Sequence, residues 1–190
     1  MSKRVCVVHG VGFYSDLSKA DVAAFAKNVS DKTGCEAFVY QWDHPGVGPD
    51  DERDTLLFKS FRQWVQEVIM DFTYVAKYIA DVPALPDADL YIGHSAGGVI
   101  VAAKTTKPQI LMGCPAQLLK NMDIRAKSGM VLNVMNYRDP IASKMDGAEN
   151  IITTDPLVLP WINPFAAHTG YWTSRQVMKL VVERVKRHLV

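Results

Sequence analysis

Leu90-Tyr91-Ile92-Gly93-His94-Ser95-Ala96-Gly97-Gly98-Val99-Ile100 is the stretch on which the reading of the fold turns. Leu90 to Ile92 is a short apolar run of strand character, and from Ala96 to about Lys104 small apolar residues continue at helical length. Between them Gly93-His94-Ser95-Ala96-Gly97 has the spacing G-x-S-x-G, with the serine at the junction of strand and helix. A sharp strand-to-helix turn holds such a residue at strained dihedrals, and glycines two positions to either side let the chains pass without a Cβ clash. The hydroxyl is then presented at the carboxyl end of a strand. Beside it the helix N-terminus offers free N–H groups and partial positive charge, which suit a carbonyl oxygen becoming an oxyanion.

Outward from this junction the chain alternates strand and helix. Val5-Cys6-Val7-Val8 is a β-branched run of the kind buried on both faces, so it belongs inside a sheet. Ser18-Lys19-Ala20-Asp21 has the form of a helix start, followed by Val22, Phe25, Ala26 and Val29 at helical spacing until Gly34. Glu36 to Trp42 reads as a second strand, and His44 to Asp51 as a loop dense in turn formers. Phe61, Trp64, Val65, Val68, Phe72, Val75, Ala76 and Ile79 trace one face of a long helix that begins near Leu57 and that Pro83 and Pro86 stop. Gln109 to Met112, Met130 to Met135 and Asn150 to Thr153 follow as strands, and Ser174 to Leu189 as a closing helix. The expected fold is α/β, a mostly parallel sheet of about six strands with helices on both faces, in one domain over residues 1–190.

Composition narrows the classes of function. Hydrophobic residues make up 48% and charged residues 22%, as in soluble globular proteins. With 21 Lys+Arg against 20 Asp+Glu the formal charge is +1, so no long-range field draws nucleic acid or acidic membrane. Lys179, Arg184, Lys186 and Arg187 near the end of the last helix read as a solvated face that complements its dipole. Cys6, Cys35 and Cys114 fit neither a disulfide framework nor a CxxC zinc site and are expected as free, buried thiols. No run is long enough for a signal-peptide core or a membrane span, which points to an intracellular, cytoplasmic protein.

A serine at its ordinary pKa needs a base, and that base needs an acid to fix its tautomer. Asp139, in Asn136-Tyr137-Arg138-Asp139-Pro140, stands just beyond the fifth strand, where its carboxylate reaches the same sheet edge as Ser95. His168 lies after the sixth strand and before the last helix, giving the order serine, acid, histidine found in elbow-type enzymes. His9 and His44 precede the serine, His94 lies inside the elbow and His188 ends the final helix, so His168 is the base expected. Asp146, Glu149 and Asp155 remain alternatives to Asp139, each also readable as a turn or cap residue. Arg138 reads as a solvated charge. His9-Gly10-Val11-Gly12, directly after the first strand, is placed to supply a second oxyanion donor, the N–H of Val11, to join that of Ala96. A dinucleotide fingerprint is absent there, since positions 10, 12 and 15 read Gly, Gly and Ser.

These motifs resemble the lipases and esterases of the α/β-hydrolase superfamily, and among them the minimal bacterial lipases that lack a large lid. Arg4 to Phe13 is similar to their first strand and oxyanion loop, Leu90 to Ile100 to their elbow, and Met135 to Ile152 to their acid loop and last strand. Lys144 to Ile151 is especially similar, which favours Asp139 over Asp146, and His168-Thr169-Gly170 resembles their histidine loop. Residues 44–88 carry no such resemblance, and Asp155 to Ala167 stands as an insertion ahead of the histidine. The resemblance implies cleavage of carboxylic esters by Ser95, His168 and Asp139 through an acyl-enzyme, with no metal or organic cofactor. Thioesterases and amidases share the superfamily, and a non-catalytic binding protein of the same fold is the other class of function.

Pro156 to Phe165 combines three prolines with a large apolar surface just upstream of His168, a run unsuited to an ordinary helix or central strand. A loop that delivers the base passes close to the nucleophile. Leu159, Trp161, Ile162 and Phe165 are therefore expected to wall the site against an apolar acyl chain, with Tyr171-Trp172 bordering it from the other side. A small ester is the expected partner, and no nucleic acid.

Overall fold

A computed structural model of the chain describes residues 2–10, 16–42, 82, 84–117, 129–154 and 166–190, without the side chains of 16–18 and 166. Its internal contacts divide it into Met1–Gln41 with Ala84–Val190, and Trp42–Pro83. Every element below belongs to the first unit; the helix expected from Leu57 to Ile79 lies outside the described residues.

Six strands, β1 (Arg4–Val8), β2 (Glu36–Tyr40), β3 (Leu90–His94), β4 (Gln109–Met112), β5 (Val131–Asn136) and β6 (Glu149–Thr153), form one sheet in the order β2-β1-β3-β4-β5-β6. Every pairing is parallel. Among the described residues the helices are α1 (Asp16–Thr33), α2 (Ala96–Lys104), the single turn α3 (Ala166–Thr169) that runs into a 3-10 turn at Gly170–Trp172, and α4 (Arg175–Leu189).

Strand character and burial agree. Val5, Cys6, Val7 and Val8 of β1 have no exposed surface, as an interior parallel strand covered on both faces requires. On one face Val5, Val7, Leu90, Ile92, Ile110, Met112, Leu132 and Val134 pack with Val22, Phe25, Ala26 and Val29 of α1 and Val177, Val181 and Val185 of α4. Those helical positions recur at three- and four-residue spacing, which makes the stripe each helix buries. Gly93 alternates with Ile92 and points the other way, where a Cβ on it would meet the Gly98 Cα of α2 at 2.6 Å. Helices therefore cover both faces.

Element ends differ from expectation by a residue or two. α1 begins at Asp16, ahead of the capping pattern at Ser18, because a local cap is a preference that the packed helix overrides. β2 ends at Tyr40 instead of Trp42. α1 stops where foreseen: Gly34 takes φ 75 and its N–H donates to the Ser30 carbonyl at 2.9 Å. The three cysteines are buried and unbridged, and burial pushes the Cys6 thiol up to about 12. Among the described residues no helix is long and apolar enough to cross a membrane.

From β1 the chain pairs first with β2 on one side and then returns to place β3 on the other. The strand order reverses at this point, and in open α/β sheets the crevice outside the carboxyl ends of two such strands is where ligands bind. His9-Gly10 follows β1 there, and Ser95 follows β3.

Candidate active site

Ser95 sits between β3 and α2 with φ 54 and ψ −124, the one non-glycine among the described residues with positive φ. Its N–H donates to the Met112 carbonyl at 3.0 Å, and its own carbonyl accepts from Gly98 N at 3.0 Å, so the strained turn is fixed from both sides. The glycines are a packing requirement. A Cβ on Gly97 would lie 2.3 Å from the His9 oxygen, and one on Gly10 would lie 2.7 Å from the Ser95 Cβ. The end of β1 is thus pressed against the elbow and the start of α2. Because Gly98 and Val99 already donate to Ser95 O, the amides of Ala96 and Gly97 are the helix-start donors with no intrahelical acceptor.

The His168 ring bridges the serine and a carboxylate. Its Nδ1 lies 2.9 Å from Asp139 Oδ2, and its Nε2 lies 2.8 Å from Ser95 Oγ. A carboxylate only accepts, so the hydrogen is on Nδ1, which leaves the Nε2 lone pair to accept from the serine hydroxyl. Asp139, Ser95 and His168 are all buried. Burial would raise the Asp139 carboxyl. The hydrogen bond and charge of His168, the Ile141 amide and the Tyr171 hydroxyl outweigh it and hold the group below the usual carboxylate range.

Asp139 is set by its loop. Asp139 Oδ1 accepts from Ile141 N at 2.9 Å and Ala142 N at 3.3 Å. Downstream, Asn150 of β6 accepts from Asn133 Nδ2 at 2.8 Å and Met145 N at 2.9 Å and donates to Met145 O at 2.9 Å and Ala148 O at 3.0 Å, which clamps the loop between β5 and β6. Tyr171 completes the shell, its hydroxyl donating to Asp139 Oδ2 at 2.8 Å. His94, read from sequence as part of the elbow, packs behind His168: its ring centroid is 5.0 Å from that of His168 and 5.0 Å from that of Trp172.

Of the residues singled out from sequence, Ser95, Asp139, His168 and Ala96 come together. Asp146 and Glu149 are exposed, and Glu149 pairs with Arg184. That pair corrects the reading of Arg184 as solvated, since its side chain is 10% exposed and ties α4 to β6. Arg138 is exposed, its guanidinium stacked 5.0 Å from the Tyr137 ring centroid. Trp172 is half-buried with its ring edge-on to Phe25 of α1 at 5.2 Å, so it meets the site through His94. Val11, Asp155, Leu159, Trp161, Ile162 and Phe165 lie outside the described residues. His94 acquired no role from sequence, and Tyr171 only that of bordering the site beside Trp172. Their partners stand far along the chain, and the one signal was their nearness to His168 and Ser95.

No protein-family model matches this sequence, and no curated protein matches it. Among solved structures, that of a predicted CIB-like hydrolase from Thermoplasma acidophilum superposes on 97% of this chain and 86% of its own, with a TM-score of 0.52 and 18% sequence identity. The likeness is one of fold. The six-stranded parallel sheet with flanking helices is of the α/β-hydrolase type.

Proposed function

We propose that this protein is a serine hydrolase that cleaves carboxylic esters, with Ser95 as nucleophile, His168 as general base and acid, and Asp139 as the group that orients His168. The observation that carries the reading is the unbroken chain from Ser95 Oγ through the imidazole to Asp139 Oδ2, at 2.8 Å and 2.9 Å, in an elbow that opens onto free helix-start amides.

In the first half-reaction the Ser95 proton passes to His168 Nε2 as Oγ bonds to the ester carbonyl carbon, and the carbonyl oxygen takes the negative charge. Ala96 N–H holds that oxygen, with Val11 N–H proposed as the second donor because Gly10 abuts Ser95. The imidazolium, stabilised by ionised Asp139, returns its proton to the leaving alcohol as the C–O bond breaks. Water, deprotonated by His168, then attacks the acyl carbon, and the imidazolium returns that proton to Ser95 Oγ as the acyl bond breaks and the acid leaves. Leu159, Trp161, Ile162 and Phe165 are proposed, from their position just before His168, to wall the acyl side. Nothing in this sequence of steps calls on a cofactor.

A fluorophosphonate probe and a short p-nitrophenyl ester test the reading together. Labelling confined to Ser95, with hydrolysis lost in Ser95→Ala, supports it; unlabelled, folded protein points to a binding protein of this fold instead. Matched amide and thioester substrates decide between ester cleavage and the neighbouring chemistries.

A further inference from the structure

Asp139 Oδ2 receives two side chains, His168 Nδ1 at 2.9 Å and Tyr171 Oη at 2.8 Å. The direction of the second bond is fixed. Tyr171 Oη is itself 2.7 Å from the Asn136 amide, which can only donate, so the hydroxyl accepts there and its own proton is directed to Asp139. The phenol is fully buried, and burial together with the Asp139 charge pushes its own ionisation far upward, so it stays a donor at any ordinary pH. Gly113 makes room for it: at φ +59, a Cβ there would lie 2.8 Å from Tyr171 Cε2 and 3.1 Å from Asp139 Oδ2.

We propose that Tyr171 is a positioning residue that holds Asp139 in place and, by sharing the oxygen that receives the imidazole, sets how readily His168 takes up a proton. The role rests on the hydrolase reading above. A donor on Oδ2 draws charge from the carboxylate, leaving less to stabilise an imidazolium at Nδ1. The same hydroxyl ties the end of β5, through Asn136, to the 3-10 turn that directly follows His168. Among the described residues the titratable groups around this cluster are Ser95 and His94 at the elbow, with His9 near His94, and Cys114 beyond β4 beside Tyr171. Tyr171→Phe alters none of them directly.

The test is an NMR titration of the His168 ring in substrate-free protein, its signals assigned by their loss in His168→Gln. In Tyr171→Phe the midpoint rises by about half to one pH unit, the effect of one ordinary hydrogen bond. With 3-fluorotyrosine at position 171, whose more acidic hydroxyl donates more strongly, it falls. If the phenylalanine variant does not fold, the fluorotyrosine protein carries the test alone. A tyrosine that merely packs would lower the melting temperature and leave both midpoints in place, which overturns the inference. Turnover is read separately. An ester hydrolysis rate retained in Ser95→Ala ends the hydrolase reading, whereas unmoved midpoints in a Ser95-dependent enzyme end the Tyr171 inference alone.

Discussion

His94 Nε2 stands 2.6 Å from the main-chain oxygen of His168. A carbonyl only accepts, so Nε2 carries the hydrogen, and the residue just before Ser95 braces the backbone of His168. Burial, and then the charge of His168, lower the His94 pKa from 6.5 to about 3, so this ring is neutral in the working protein.

A neutral buried histidine makes stability depend on pH in a defined direction. Above pH 6.5 neither folded nor unfolded His94 binds a proton; between 6.5 and about 3 the unfolded chain does and the native one does not. Native stability therefore falls with acidification from about pH 6.5, by up to about 1.4 kcal/mol per pH unit from this group. Asp139 adds to the loss at lower pH, since its depressed carboxyl stabilises the fold above its unfolded pKa and ceases to as pH falls through the folded one. Denaturant melts from neutral to mildly acidic pH should show His94→Phe less stable at pH 7, by about 1–3 kcal/mol for the unbonded carbonyl, and flatter in its pH dependence. An unchanged slope would mean that His94 is not the group titrating.

Asp139→Asn is expected to lower kcat on esters by roughly 10⁴-fold. The carboxylate accepts four donors, Ile141 N, Ala142 N, His168 Nδ1 and Tyr171 Oη. An amide at this site has an NH2 that must face one pair of those donors, which breaks the shell and favours the wrong imidazole tautomer. Asp146→Asn, on the exposed side of the loop, should leave kcat within a few-fold. Steady-state kinetics of the two variants decides the identity of the acid.

Most of the fold was legible because it rests on local pattern. Val5–Val8, Leu90–Ile92 and Gln109–Met112 are β-branched or apolar runs bounded by turn formers, and each is a strand in one parallel sheet. The meeting of Ser95, Asp139 and His168 was legible because the end of each strand fixes where the next loop emerges. What stayed hidden depends on contacts between distant residues. Tyr171 reaches Asn136 and Asp139, 35 and 32 positions away, and His94 reaches the His168 carbonyl, 74 positions away. Arg184 was misread for the same reason, since a basic residue late in a helix has no local mark of the Glu149 it meets.

Glycine substitutions separate space from conformation. Gly97→Ala improves helix propensity, yet its Cβ would sit 2.3 Å from the His9 oxygen and 2.4 Å from the Val8 oxygen, backbone atoms with nowhere to retreat. Sterics wins, and the variant should lose about 1–3 kcal/mol or more. Gly147→Ala has open space but φ +78 and should lose about 1 kcal/mol. Gly129 has open space and no positive φ, so Gly129→Ala should be neutral or stabilising by up to about 1 kcal/mol. Melting temperatures in that order support the close approach of α2 to β1, whereas a tolerated Gly97→Ala would contradict it.

The strain at Ser95 has its own signature, separable from chemistry. Alanine and glycine both remove the hydroxyl, and with it the bond to His168 Nε2, so both should be inactive on esters. They differ in the backbone. At φ 54 and ψ −124 a side chain of either serine or alanine holds the main chain in a sparsely populated region, at about 1–3 kcal/mol. Glycine adopts it freely, but its looser unfolded chain gives back about 0.4–1 kcal/mol. Ser95→Gly should therefore be the more stable of the two inactive variants, by about 1 kcal/mol in equilibrium urea unfolding, a margin to which the ordinary preference for glycine over alanine at a helix N-cap adds. Equal stability, or an advantage for alanine, would show that the elbow stores no such strain.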